Sequence, residues 1–166
     1  METCRRYFKM IKVGMGYDVH QLAPGRPLLI GGVKVPSSRG SVGHSDGDAL
    51  SHAITDAILG AVGLGDIGLF FPSDDETWRG ADSKIFLIEA IKMMSDKGYT
   101  LNNVDSTVIL QSPKLQKYIP LIKKSLAQTL IINEANINIK ATTTDRLGVI
   151  GEGLGWACMA VVLLEK

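Results

Sequence analysis

The sequence predicts an α/β protein of the α+β type: a mixed sheet of about four strands, helices packed on one face, and a small β-hairpin. Three observations predict it. Apolar or alternating runs at residues 11–22, 104–110, 137–141 and 156–164 carry the signature of strands. Stretches at 48–63, 81–97 and 113–130 carry the period of helices. The order strand, hairpin, helix, helix, strand, helix, strand, strand, with no repeat, low-complexity segment or linker, implies one mixed sheet.

The elements follow in turn. Ile11 to Leu22 reads as the first strand. Between Pro27 and Pro36, "LLI" and "VKV" read as two short strands, with Gly31-Gly32 suited to the tight turn between them. Pro36 to Gly43, "PSSRGSVG", reads as a loop. Asp48 to Gly63 is the clearest helix, since Leu50, Ala53, Ile54, Ala57, Ile58 and Ala61 recur at helical spacing and Gly63 and Gly65 stop it. Gly65 to Gly80 reads as irregular. Ala81 to Lys97 predicts a second helix, with Asp82 as N-cap, Gly98 as stop and an apolar stripe of Ile85, Ile88, Ile91 and Met94. Val104 to Leu110 reads as a buried strand. A third helix lies within Pro113 to Leu130, and Pro120 belongs in its first turn, where a missing N–H costs nothing. Ile137, Ile139 and Ala141 alternate with polar residues as in a half-buried strand. "GEGLG" reads as a turn or short helix, and Trp156 to Leu164 as the last strand.

At 166 residues the chain is long enough for one domain with its own core. Residues 1–10 read as an N-terminal extension, disordered or non-essential, and 11–166 as the single domain. Apolar residues make up 45% and charged residues 21%, and 18 basic against 17 acidic residues leave a net charge of +1. That balance offers no basic surface for nucleic acid or an anionic membrane, and no run approaches the roughly 20 apolar residues of a membrane span. Cys4 and Cys158 make neither a disulfide framework nor a thiolate zinc site, and they fit a reducing compartment. "METCRRYFKMIKVG" lacks the apolar centre of a secretory signal and is short for a transit peptide, so the expected location is the cytoplasm.

There are three histidines: His20, His44 and His52. Asp18 and His20 share one face of the first strand, because strand side chains alternate. A D-x-H pair on a strand is a weak signal, and so is one histidine on a helix. Together, Asp18, His20 and His52 offer two nitrogens and a carboxylate oxygen, the donor set of a tetrahedral zinc ion with its remaining position open to water or phosphate. Asp48, His52 and Asp56 stack on one helix face, opposite Leu50, Ile54 and Ile58. A solvated face would carry lysines, yet residues 44–66 contain four aspartates and no Lys or Arg, so this face reads as one wall of a cation site.

Other segments are weaker. In "GHSDGD" small residues and a helix start suit an anion, but Asp46 or Asp48 acting as an N-cap explains the acid equally well. "KATTTDR" offers hydroxyls and a turn for phosphate and Asp145 for a hard cation, against a plain strand preference of threonine. "QSPKLQK" can serve a nucleobase or be an ordinary turn. "GEGLG" and "GMG" do not make a dinucleotide fingerprint.

"GYDVHQL", "GHSDGDALSHAITDAILGAVGLGDIG", "FPSDD", "GADSK", "QSPK" and "KATTTDRLG" occur in this order and at this spacing. With them, the chain from about Ile11 onward resembles the 2-C-methyl-D-erythritol 2,4-cyclodiphosphate synthase family of non-mevalonate isoprenoid biosynthesis. The resemblance implies a homotrimer with active sites at subunit interfaces. It implies that 4-diphosphocytidyl-2-C-methyl-D-erythritol 2-phosphate is converted to the cyclic diphosphate with release of CMP, a phosphorus–oxygen lyase reaction. It implies zinc on Asp18, His20 and His52, and magnesium or manganese on Asp145, where the family often has Glu.

The remaining roles also come from the resemblance. His44 and Ser45 match residues at the substrate phosphates, and His44 and Thr143 those that stabilise the transition state. Asp66, Ile67 and Gly68 match the methylerythritol-binding segment, with Phe71 to Asp75 beside it and Asp56 near the substrate. Leu110, Gln111, Ser112, Pro113, Lys114, Leu115 and Gln116 match the cytidine pocket, and Thr142, Thr143, Thr144 and Asp145 the nucleotide phosphate site. Val149 and Glu152 are placed with the substrate-facing set. Glu152 stands where many relatives have an arginine near the threefold axis, which argues against an isoprenoid diphosphate bound there, and "FPSDD" has Ser73 where many have an acid. From the residues alone, a zinc phosphohydrolase and a non-catalytic trimeric binding protein with structural zinc remain open.

Overall fold

Residues 9–166 are described by the computed structural model. Alternation decides the first element. In β1 (Ile11–Pro24) Gly14, Gly16 and Leu22 turn inward, while Ile11, Val13, Met15, Tyr17 and Val19 stand exposed on the opposite face. β1 pairs antiparallel with the last strand, β7 (Gly155–Glu165), which repeats the pattern: Trp156, Cys158, Ala160, Val162 and Leu164 are buried, and Met159 and Val161 exposed. β5 (Thr100–Ile109) lies against the other side of β7, and β6 (Ile137–Thr142) runs parallel to β5. The sheet is therefore mixed, as expected.

It has five strands rather than about four, in the order β4-β1-β7-β5-β6. The additional strand, β4 (Arg39–Val42), falls within the expected loop. It is a short edge strand whose residues pair with Gln21 to Pro24 of β1, and it has no apolar period of its own to announce it. A methyl group on Gly40 would lie 2.0 Å from the Pro27 carbonyl oxygen, so this edge needs a residue without a side chain. β2 (Leu28–Ile30) and β3 (Val33–Val35) form the expected hairpin, turning at Gly31 and Gly32 with φ of +57° and +73°.

The helices cover one face. α1 (Ala49–Ala61) packs its buried Leu50, Ile54, Ile58 and Leu59 into a core shared with Trp156, Leu87, Ile122 and Leu126. It begins at Asp48, whose carboxylate accepts the Ser51 N–H and also the N–H groups of Gly31 and Gly32 at 3.0 and 2.6 Å. Asp48 is fully buried and ties the hairpin to α1, so it does not belong to the cation-facing wall in which the sequence placed it. The stretch expected to be irregular holds a short helix, α2 (Ile67–Phe70), and a 3-10 turn at Glu76–Trp78, capped by Asp66 and Asp75.

α3 (Lys84–Asp96) starts three residues later than expected. Ser83, not Asp82, occupies the N-cap position; Asp82 instead accepts the Lys84 N–H. Its buried face is Phe86, Leu87, Ala90 and Met94, whereas Ile85 and Ile88 are exposed. Both sets obey a helical period, and packing against α1 selects the first. α4 (Ile119–Leu130) carries Pro120 in its first turn. In β6, Ile137 and Ile139 are buried and Ala141 is exposed. α5 (Gly148–Gly151) ends on the first glycine of "GEGLG", whose Glu152 to Leu154 turn into β7 at Gly155.

Of the expected extension, residues 1–8 lie outside the described residues, while Met10 exchanges backbone hydrogen bonds with Lys166. No helix among the described residues is long and apolar enough to cross a membrane.

Candidate metal centre and flanking clefts

Glycine permits the contact on which the site depends. Gly14 and Gly16 of β1 lie so close to α1 that added methyl groups would stand 1.8 Å from the Ala57 carbonyl oxygen and 1.9 Å from that of Ala53. Asp18 and His20 follow on the same inward face of β1, and His52 lies one residue before Ala53 on α1. The strand pair and the helical histidine therefore meet, as the spacing predicts.

Both imidazoles address one carboxylate oxygen. His20 Nδ1 lies 2.9 Å and His52 Nδ1 3.0 Å from Asp18 Oδ2. The candidate donor atoms of Asp18, His20 and His52 all fall within 4.8 Å of one another. His20 Nδ1 is buried but is not aligned to hydrogen-bond that oxygen, and it has no hydrogen-bond partner among the described residues. A buried ring nitrogen left without a partner beside a carboxylate is what a shared cation would satisfy, so the donor set fits a metal ion. Burial disfavours the charged form of Asp18, but the His52 hydrogen bond and the closeness of both imidazoles outweigh it and hold its pKa at about 2. Burial likewise favours neutral His52, but the Asp18 hydrogen bond and charge, with Asp48 and Asp46 adding, raise its pKa.

The triad opens on a cleft of about 260 Å³ lined by His20, His44, Ser45, His52, Ile67, Gly68, Phe71, Ser73, Trp78 and Phe86. His44 donates from Nε2 to the Asp75 carbonyl oxygen at 2.9 Å, and Ser45 Oγ lies 3.2 Å from His52 Nε2. Asp56 accepts the Ile67 N–H at 2.7 Å, which pins the start of α2 beside the cleft. Burial, with Asp66 and Asp18 adding, raises the Asp56 pKa despite that hydrogen bond. Gly43 leaves room for the His20 ring: a methyl group there would lie 3.1 Å from His20 Nε2.

A second cleft, of about 480 Å³, is lined by Leu110, Gln111, Pro113, Lys114, Leu115, Gln116, Ile119, Ala141, Thr142 and Thr143. The "QSPK" and "KATTT" segments thus come together, 30 residues apart in sequence but adjacent through the parallel β5–β6 pair. Ser112, Thr144 and Asp145 flank this cleft without lining it. Asp145 and Arg146 adopt left-handed backbone, with φ of +51° and +66°, and the Asp145 carboxylate accepts the Thr143 hydroxyl at 3.3 Å. The two clefts share no lining residue, and Thr143 is therefore not brought to His44 within one chain. Asp66 caps α2, Asp75 caps the 3-10 turn, and exposed Val149 and Glu152 line neither cleft.

Sequence reasoning missed Trp78, Phe86 and Ser83. Phe71, Trp78 and Phe86 form an aromatic wall, with ring centres 4.6 to 5.7 Å apart. "GADSK" carried the signal for Ser83, but no local pattern says that its hydroxyl reaches His52.

A mixed sheet with helices on one face, and an Asp–His–His donor set beside a cleft, define an α+β protein whose side chains could hold a cation there. The chain belongs to the YgbB family, whose model matches residues 11–165. It is 52% identical over 157 residues to the 2-C-methyl-D-erythritol 2,4-cyclodiphosphate synthase of Shouchella clausii, covering 95% of this chain and 99% of that one. Among solved structures, the bifunctional IspDF of Campylobacter jejuni matches with a TM-score of 0.92 at 43% identity, over 96% of this chain and 43% of that protein. The IspF of Plasmodium falciparum, in complex with CDP, matches with a TM-score of 0.82 at 39% identity, over 93% of this chain and 95% of that one.

Proposed function

We propose that this chain is a 2-C-methyl-D-erythritol 2,4-cyclodiphosphate synthase, which closes 4-diphosphocytidyl-2-C-methyl-D-erythritol 2-phosphate to the cyclic diphosphate and releases CMP. The observation that carries this reading is the Asp18–His20–His52 centre opening beside His44 and Ser45, in a chain 52% identical to a synthase of that name. The donor set of two imidazoles and one carboxylate favours zinc at the triad. Asp145 belongs to no His/Cys/Asp/Glu cluster among the described residues, so a magnesium or manganese ion there would depend on substrate phosphate oxygens for further ligands.

In this reading the nucleotide lies in the cleft of Leu110 to Gln116, and Thr142, Thr143 and Thr144 donate to its phosphates. The methylerythritol lies by Asp56, Asp66, Ile67 and Gly68, against Phe71. Ser45 and His44 hold the 2-phosphate. An oxygen of the 2-phosphate attacks the β-phosphorus, the bond to the CMP oxygen breaks, and CMP leaves as the anion. His44 and Thr143 donate hydrogen bonds to the oxygens that gain charge. Zinc, with the second cation, would supply positive charge against the phosphate oxygens. Holding the two reacting groups in line accounts for barrier reduction on the order of 7–11 kcal/mol in favourable cases.

A homotrimer completes the site by bringing the nucleotide cleft of one copy to the triad of the next. Two observations support it: the clefts are separate within one chain, and the sheet face away from the helices is apolar and open. There Ile11, Val13, Met15, Tyr17, Val19, Met159 and Val161 are each at least 41% exposed. The reading treats residues 11–166 as one domain and places the enzyme in the cytoplasm. The test is to supply the cytidine diphosphate substrate with magnesium to folded, zinc-loaded protein. CMP and cyclic product are expected in equal amounts; absence of CMP sinks the proposal, and inorganic phosphate without cyclic product marks a phosphohydrolase.

A further inference from the structure

The metal-facing side of His52 is only half of its environment. Its other ring nitrogen, Nε2, lies 2.8 Å from the hydroxyl oxygen of Ser83. Ser83 is 1% exposed, beneath the cleft floor at the start of α3. Its own proton is committed: the hydroxyl donates to Asp46 Oδ1 in a short hydrogen bond, and the Ser83 backbone N–H donates to Asp46 Oδ2 at 3.0 Å. Asp46 is held in turn by the Asp48 N–H at 3.1 Å, at the entrance of α1.

The direction of each bond follows. A carboxylate only accepts, so the Ser83 proton points to Asp46. The Ser83 oxygen then offers His52 Nε2 a lone pair, a hydrogen bond when Nε2 carries the hydrogen. On the other side Nδ1 faces Asp18 Oδ2 at 3.0 Å, a carboxylate that also only accepts, so each ring nitrogen has an acceptor before it. A cation between Nδ1 and Asp18 takes the place of the Nδ1 hydrogen and leaves the Nε2–H to Ser83. Ser45, 3.2 Å from the same Nε2, is the longer contact, so its hydroxyl is left to turn into the cleft.

We propose that Asp46 and Ser83 are positioning residues for the metal centre: a buried Asp46–Ser83–His52 relay receives the Nε2–H of His52 and so reserves Nδ1 for the cation. This rests on the metal reading of the triad under the proposed function, and it assigns work to two residues that touch neither metal nor substrate. Supporting groups of this kind orient a ligand ring before the ion arrives. A purely structural role, in which Asp46 merely fastens the "GHSDGD" loop to α3, makes no demand on which His52 nitrogen takes the ion.

The experiment is nitrogen-15 NMR of the histidine rings in the zinc-loaded full chain. The His52 signals, assigned by their loss in His52→Ala, should show zinc on Nδ1 and a slowly exchanging hydrogen on Nε2; zinc on Nε2 overturns the proposal without any variant. Ser83→Ala should speed exchange of that hydrogen and lower zinc affinity, read by chelator competition, by about 10- to 100-fold. Ser83→Thr, which keeps the hydroxyl, should restore both. A folded Ser83→Ala with wild-type hydrogen exchange and zinc affinity also overturns it. Because neither readout uses turnover, a protein with the relay intact but no CMP release would sink the synthase reading and leave this one standing.

Discussion

Gly16 of β1 meets the backbone of Ala53 on α1 so closely that a methyl group on the glycine would stand 1.9 Å from the Ala53 carbonyl oxygen. This contact sets the distance between the strand that carries Asp18 and His20 and the helix that carries His52. Gly16→Ala must push backbone against backbone, since no flexible side chain is available to give way. The expected cost is at least about 1–3 kcal/mol of stability, the range of an overpacked core. Zinc affinity should fall with it, because the helix moves off the strand. Chemical denaturation and chelator competition on the same sample check both, and a variant with wild-type zinc affinity would contradict the coupling.

His52→Ala should lose stoichiometric zinc and leave a folded protein. The deletion removes one of three donors but no apolar core contact of α1, whose packing rests on Leu50, Ile54 and Ile58. Activity should fall by more than the roughly 10–100-fold that loss of a supporting residue costs. Elemental analysis beside circular dichroism checks it; zinc retained at one per chain would show that the ligand assignment is wrong.

Asp48→Ala separates structure from site. Its carboxylate accepts three backbone N–H groups and the Ser51 hydroxyl in a fully buried position. Removing it strands those donors and should cost on the order of 3 kcal/mol or more. The surviving folded fraction should still bind zinc, in contrast to His52→Ala. A thermal melt and a metal assay distinguish the two.

Zinc affinity should rise with pH across the histidine range. His52 is raised above its ordinary value of about 6.5, because the Asp18 hydrogen bond and charge outweigh a burial that favours the neutral ring. A cation must expel that proton, so protons compete below the raised pKa and the competition ends above it. Asp18, at about 2, stays charged throughout and adds no slope near neutrality. Competition titrations between about pH 5.5 and 8.5 check it; a flat profile would mean that the metal displaces no proton from His52.

Met15→Asp should dissociate the proposed trimer while leaving each copy folded. Met15 is 63% exposed on the open sheet face, so the charge meets water in a lone chain but apolar surface in an assembly. Sedimentation should show monomer, and turnover should fall although zinc remains bound, because the nucleotide cleft no longer meets a neighbour's triad. An active monomer would sink the interface reading.

The legible parts of the molecule were those with a short-range signature. β1 and β7 announce themselves through alternation, α1 through its apolar period, the hairpin through Gly31-Gly32, and the three candidate metal donors through residue type on faces that periodicity assigns. β4 was illegible because Arg39 to Val42 has no period of its own and is a strand only through pairing with Gln21 to Pro24. The stripe of α3 was misjudged because Ile85–Ile88–Ile91 and Phe86–Leu87–Ala90–Met94 are both helical rows, and only contact with α1 decides which is buried.

By itself, then, the sequence determined an α+β chain carrying an Asp–His–His donor set and the segments that resemble a cyclodiphosphate synthase. Tertiary structure alone decided that Asp48 turns inward as a cap, that Ser83 reaches behind His52, and that the cleft beside the Asp–His–His triad and the cleft between "QSPK" and "KATTT" stand apart in one chain. The division has a physical cause. Period and residue type are properties of neighbours along the chain. Hydrogen bonds such as Ser83 to His52, 31 residues apart, exist only once packing has closed the distance.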